Sequence, residues 1–145
     1  MEEISQLRRY LEEHRYDDAL QIAIDLEDMA RDDKITRISS FAEVLLVHLI
    51  KQAAEQRTTR SWQVSMDYAA ENIAIVNKRR KAGGFYLTPE ELREAVVEAY
   101  SKALKRASLE AFEGNYTHQE LGAMVHREAL VDEALRLILS QHSLL

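Results

Sequence analysis

Apolar residues recur at helical rather than strand spacing along almost the whole chain. Over 2–14, Ile4, Leu7 and Leu11 fall three and four residues apart and predict a first amphipathic helix. A second is predicted from Asp17 or Asp18, either of which suits an N-cap, with Ala19, Ile22, Ala23, Leu26, Met29 and Ala30 as its stripe. Leu20 and Ile24 lie on the opposite side and point to a second contact surface. A third helix is expected from about Lys34 to Gln56, its main stripe formed by Ile35, Ile38, Ala42, Leu45, Leu49 and Ala53. Leu46, Val47 and Ile50 extend that apolar surface most of the way round, as in a helix at a bundle centre or in a dimer interface. A fourth, over 61–82, carries Trp62, Met66, Ala69, Ile73 and Val76. "KAGG" should end it, with Gly83 in the left-handed C′ position and Lys78 to Lys81 beside the negative end of the helix dipole.

Two helix starts are signalled chemically. Thr88-Pro89-Glu90-Glu91 places threonine at the N-cap, proline at N1 and glutamate at N3. Leu92, Val96, Ala99, Ala103 and Ala107 then form a seam. Thr117-His118-Gln119-Glu120 repeats the capping box and opens a last helical region to about Gln141. The loops are short and no linker is visible. The expected fold is all-α, a single-domain helical bundle of about five to seven helices over 1–145. Tyr16 to Leu20 is locally similar to a tetratricopeptide hairpin, but no second copy follows at the required period of ~34 residues, so a solenoid is set aside.

Composition narrows the function classes. The chain has 145 residues, 46% of them apolar, with four glycines and one proline. With no cysteine there is no disulfide, thiolate nucleophile or cysteine-type zinc site. No run approaches the ~20 apolar residues of a membrane span. The acidic, amphipathic start predicts no secretory leader, so a soluble, bacterial, cytoplasmic protein is expected. The net charge of −6 is unevenly spread: residues 1–33 carry eleven acids and four bases, 34–81 nine bases and four acids. The basic middle either pairs with its acidic flanks or offers an anionic partner a face.

Reactive constellations are mostly absent. No histidine has a glutamate three places before it, as di-iron bundles require, and no His-x-x-x-His pair exists. Four glycines, two of them adjacent, form neither a Walker loop nor a dinucleotide turn. Ser61 and His48 could approach each other, but nothing suggests an acid partner or an oxyanion hole. No metal ligand, cofactor or catalytic residue is expected. His48 reads first as a satisfied histidine at a helix boundary, Trp62 as an anchor against the core, and "NKRRK" as helix C-terminal capping.

At "HLIKQAAEQRTTRSW" the chain resembles the bacterial family called domain of unknown function 29. His48, Leu49 and Lys51 match its His-Leu-Leu-Lys-Trp segment, and Thr59 to Trp62 its step into Ser-Trp. "RYDDALQIAIDLEDMA", "EAYSKALKRA" and "NYTHQEL" follow in the family's order, so the resemblance covers roughly 10–125, with 126–145 as a helical extension. Gln52 stands where the family has a tryptophan, and Ala70 where an arginine is common. The resemblance implies an all-α fold and no established activity.

Arg57 to Ser61 then reads as a polar break between two core helices, with Ser61 as N-cap and Trp62 at N1, turned back near His48 and Gln52. His48, Lys51, Arg57, Arg60, Ser61 and Trp62 form the candidate corner, which would present Arg57 and Arg60 outward. Lys78, Arg79, Arg80 and Lys81 form a candidate anion-facing patch. Three functions stay open. The first is a protein–protein interaction module, expected to homodimerise because Leu20, Ile24, Val47, Ile50 and "ALRLILSQHSLL" exceed one stripe per helix. The second is a nucleic-acid-associated regulator, such as the antidote of a toxin–antidote pair. The third is an enzyme of unrecognised type, with perturbed groups near His48, Lys51 and Glu55.

Overall fold

Six α-helices make up the regular structure of the computed structural model, which describes every residue except Met1, Arg80 and Ala82. They are α1 (Glu2–Glu12), α2 (Tyr16–Glu55), α3 (Arg60–Asn77), α4 (Pro89–Glu110), α5 (His118–Ala123) and α6 (Arg127–His142). A 3₁₀ turn, Ala111–Gly114, follows α4. The class is all-α. Contacts divide the chain into two compact units, Met1–Lys34 and Ile35–Leu145.

The first unit is a hairpin of α1 and the opening turns of α2. His14 sits at φ 60, its N–H bonded to Leu11 O and that of Arg15 to Tyr10 O. This is the Schellman arrangement, with histidine in a position that glycine usually fills. The next helix begins at Tyr16, so neither Asp17 nor Asp18 is its cap. Both lie in the first turn beside the positive end of the dipole, and Asp18 also accepts from Arg15 at 2.9 Å.

The expected break between a second and a third helix does not occur. "RDDK" contains no glycine or proline, and its aspartates cost only about 0.5 kcal/mol each in helix propensity, so α2 runs on to Glu55.

In the second unit, the later part of α2 is buried nearly all round. Leu45, Leu46, Val47 and Ile50 are at most 3% exposed and pack with Ile73 of α3, Val96 of α4 and Ile138 of α6. Most of the two predicted sources of surplus apolar surface is therefore internal. Val47 and Ile50 are core, and α6 packs on α3 and α4 of its own chain, with Leu135, Leu137 and Leu139 against the core, whereas Leu144 and Leu145 stay exposed.

Both capping boxes form, Thr88 with Glu91 and Thr117 with Glu120. The last helical region is nevertheless two helices. The chain turns at Met124 to His126, where Val125 packs against the core.

α3 stops at Asn77, five residues short of the expected end. The Asn77 carbonyl accepts the Tyr86 N–H at 2.8 Å and its side-chain amide binds Leu87, so the chain doubles back at once. Lys78 is the extended C-cap and bridges Phe85, while Gly83 and Gly84 (φ 75 and 70) form the turn instead of capping the helix.

Candidate interaction sites

The corner is built by the end of α2 and the start of α3. Gln56 takes the left-handed conformation after Glu55, and Thr59 caps α3 by accepting the Trp62 N–H at 3.0 Å. Ser61 is not the cap. Thr59 has the extended backbone a cap needs (φ −130, ψ 160), whereas Ser61 is already helical and exposed. Trp62 is accordingly the third residue of α3, not the first.

Its half-buried indole turns back on α2, with Lys51 Nζ 4.5 Å and Arg57 Cζ 4.7 Å from the ring centroid, and the His48 ring at 6.3 Å. Lys51 is buried apart from 5% of its surface, and its ammonium lies 3.0 Å from Glu110. Arg57 donates to Glu55 at 2.9 Å, so it is partly engaged rather than simply presented outward; Arg60 is exposed.

Facing this corner is the 3₁₀ turn, which the linear pattern did not reveal as part of any site. Phe112, Glu113 and Gly114 are successively left-handed, at φ 50, 58 and 78. The two non-glycine residues cost of order 1–2 kcal/mol each in that conformation. Glu55 helps to hold the turn by accepting the Phe112 N–H at 3.4 Å, and Phe112 meets Tyr116 edge to face at 5.2 Å. Gly114 is required there twice over, by its φ and because a Cβ would come within 3.2 Å of the Leu109 carbonyl oxygen.

Between the walls lies a cleft of about 440 Å³, lined by Lys51, Glu55, Arg57 and Trp62 on one side and by Glu110, Phe112, Glu113, Asn115 and Tyr116 on the other. Two ion pairs and three aromatic rings there can orient a polar group. Among the described residues, no group of three or more His, Asp or Glu side chains is placed to hold a metal ion.

His48 borders the corner. Its Nδ1 is buried without a hydrogen-bond partner, and burial, followed by the Lys51 charge, lowers its pKa; Glu110 opposes the shift and Arg106 adds to it. A base with a lowered native pKa binds fewer protons folded than unfolded. Its contribution is therefore complete above the ordinary imidazole value of 6.5 and is lost as pH falls from there through the native value. Denaturation midpoints should fall more for wild type than for His48→Gln across that window. Equal falls would mean that His48 has no part in the acid sensitivity.

A family model described as Domain of unknown function DUF29 matches residues 1–121. The chain belongs to this family. No curated protein and no solved structure gives a match. The DUF29 match takes in the hairpin, the corner and the whole cleft wall, and it stops within α5. The core residues of α6 lie beyond it, so this DUF29 protein completes its bundle with a helix outside the matched region.

The candidate anion-facing patch lies at the other end of α3. Sixteen helical residues separate Trp62 from Lys78, about 24 Å along the axis, so the patch and the corner make no continuous cationic face. Lys78, Arg79 and Lys81 belong to the loop after the helix, and Arg80 lies outside the described residues. Arg79 is held by its N–H to Gly84 O and sets its guanidinium 5.7 Å from the Tyr86 ring centroid.

The hairpin unit of the DUF29 protein offers a different kind of surface. Among its described residues Ala19 alone is buried, and α1 buries none. Ile4, Leu11, Tyr16, Leu20, Ile24 and Met29 are 42–60% exposed. Tyr16, Leu20 and Ile24 recur every four residues and so share one face. Leu20 and Ile24 are thus exposed, as their spacing indicates, but the stripe expected to face inward is not covered either: Ala23, Met29 and Ala30 are exposed and Ala19 alone is buried. Among the described residues of the chain, no helix is long and apolar enough to cross a membrane.

Proposed function

We propose that this DUF29 protein is a non-catalytic, cytoplasmic interaction module that binds another protein through the Tyr16–Leu20–Ile24 face. One observation carries the reading. An 11-residue helix and the opening turns of another expose six large apolar side chains and bury a single alanine. A helix of that length is marginal alone, and helices in proteins draw most of their stability from covering an apolar face. A contiguous exposed apolar face is how interaction surfaces present themselves.

The test pairs Leu20→Ser with Ile24→Ser. Because both side chains are exposed, the double variant should melt within about 1 kcal/mol of wild type. As bait in the native host it should lose a partner that wild type retains. An unchanged retained set, or a large fall in the variant's own stability, would refute the reading. Light scattering decides the homodimer: a monomer at micromolar concentration removes it and leaves a different protein as the partner.

A further inference from the structure

We propose that the occupant of the hairpin face is a basic amphipathic helix of another protein rather than a second copy of this chain. The inference rests on the module reading above and adds the partner's chemistry. Met1–Lys34 carries eleven acids and five bases, a net charge of −6, equal to that of the whole chain.

The cations are already engaged. Arg8 pairs with Glu12, Arg9 with Glu13 and Arg15 with Asp18, while Arg31 and Lys34 have interactions of their own. Among the described residues, Glu3, Asp17, Asp28 and Asp33 pair with no cation. Two of these border the apolar face: Asp17 lies three residues before Leu20, and Asp28 four residues after Ile24, spacings that make them helix-surface neighbours. The surface is thus an apolar ridge with acidic margins.

A second copy would bring the same acidic margins against these, and like charges set face to face at an interface cost several kcal/mol. A partner with apolar residues one helical turn apart and lysines or arginines beside them satisfies both features. The ridge at i, i+4, i+8 is the form that packs into the groove of another helix.

The experiment uses the full chain and a labelled peptide of about 18 residues, long enough to form helix on contact, with leucine and lysine at helical spacing. A leucine–glutamate peptide of the same pattern is the control. Fluorescence anisotropy should show saturable binding of the lysine peptide. That binding should weaken about tenfold or more with Leu20→Ser and Ile24→Ser together. With Asp17→Asn and Asp28→Asn it should weaken and lose part of its salt dependence. Glu98→Gln, an exposed acid in the second unit, should leave it unchanged.

Equal binding of the glutamate peptide, or binding indifferent to the Leu20 and Ile24 changes, overturns the proposal. So does a dimer in light scattering that the same double variant converts to monomer, since a second copy then covers the face. A host protein retained through Leu20 and Ile24 that the lysine peptide fails to displace would overturn this inference while leaving the module reading intact.

Discussion

Replacing Asn77 with alanine is expected to lower stability by roughly 3 kcal/mol and the melting temperature by on the order of 10 °C. Asn77 has no exposed surface, and its side chain makes three hydrogen bonds to two other segments. Its Oδ1 accepts the Leu87 N–H at 2.8 Å, and its Nδ2 donates to Leu87 O at 3.2 Å and to His142 Nε2 at 3.0 Å. The direction of the last bond follows from the ring's other nitrogen. His142 Nδ1 faces Ile138 O at 2.8 Å, an acceptor, so Nδ1 carries the proton and Nε2 accepts.

Alanine would leave both backbone groups of buried Leu87 unpaired, each costing ~1–3 kcal/mol, with partial recovery as the loop relaxes. His142→Ala breaks one of the three bonds and should cost about 1 kcal/mol beyond its packing with Phe85. Asn77→Asp keeps an acceptor for Leu87 N–H but turns oxygen toward Leu87 O and His142 Nε2, and should be at least as damaging as alanine. Circular dichroism melts of the three variants provide the check. A melting temperature for Asn77→Ala within about 2 °C of wild type would show that the loop is held by other contacts.

Asn77 also marks the limit of what the chain discloses in one dimension. The features of this DUF29 protein that rest on neighbours three or four residues apart were legible: the helical class, both capping boxes, the inward stripes of the second unit and the exposed Leu20–Ile24 face; the stripes read on α1 and the opening turns of α2 are mostly exposed. Features decided by distant groups were not. Nothing near "VNKRR" says that Leu87 and His142 will draw on Asn77, so the helix end read from Gly83 fell too late. The cleft has the same origin: Glu110 reaches Lys51 across 59 positions, and Phe112 reaches Glu55 across 57. Gly114 marks a turn in the sequence but gives no indication of what the turn faces. Ser61 and Thr59 were equivalent as caps by residue type, and only the extended backbone at Thr59 separates them. The surplus of apolar residues on the later part of α2 and on α6 was correctly seen as needing cover. That cover lies within the chain for Val47, Ile50, Leu135, Leu137 and Leu139, whereas Leu144 and Leu145 stay exposed.

Trp62→Ala should lower stability by about 2 kcal/mol, less than the 3–5 kcal/mol of a fully buried tryptophan, because the indole is half exposed. What the ring does cover is specific. Lys51 is 5% exposed with its ammonium over the indole and 3.0 Å from Glu110, so removing the ring opens one side of a nearly buried charge to water. Lys51→Met, which keeps a long apolar stem against the indole and removes the charge, should be tolerated within about 1 kcal/mol. Arg57→Ala should cost on the order of 1 kcal/mol, because the guanidinium is at the surface while the Glu55 carboxylate it pairs with is mostly buried. The Trp62–Arg57 double-mutant cycle should retain a coupling of about 0.5–1 kcal/mol from the stacked guanidinium. Denaturation followed by circular dichroism gives all of these midpoints, and wild-type emission should lie between that of a buried and a free indole. An unmoved midpoint for Trp62→Ala, with no coupling to Arg57, would mean that the ring takes no part in fixing the angle between α2 and α3. The cleft wall it forms would then be a surface held ready for a ligand at no expense to the fold.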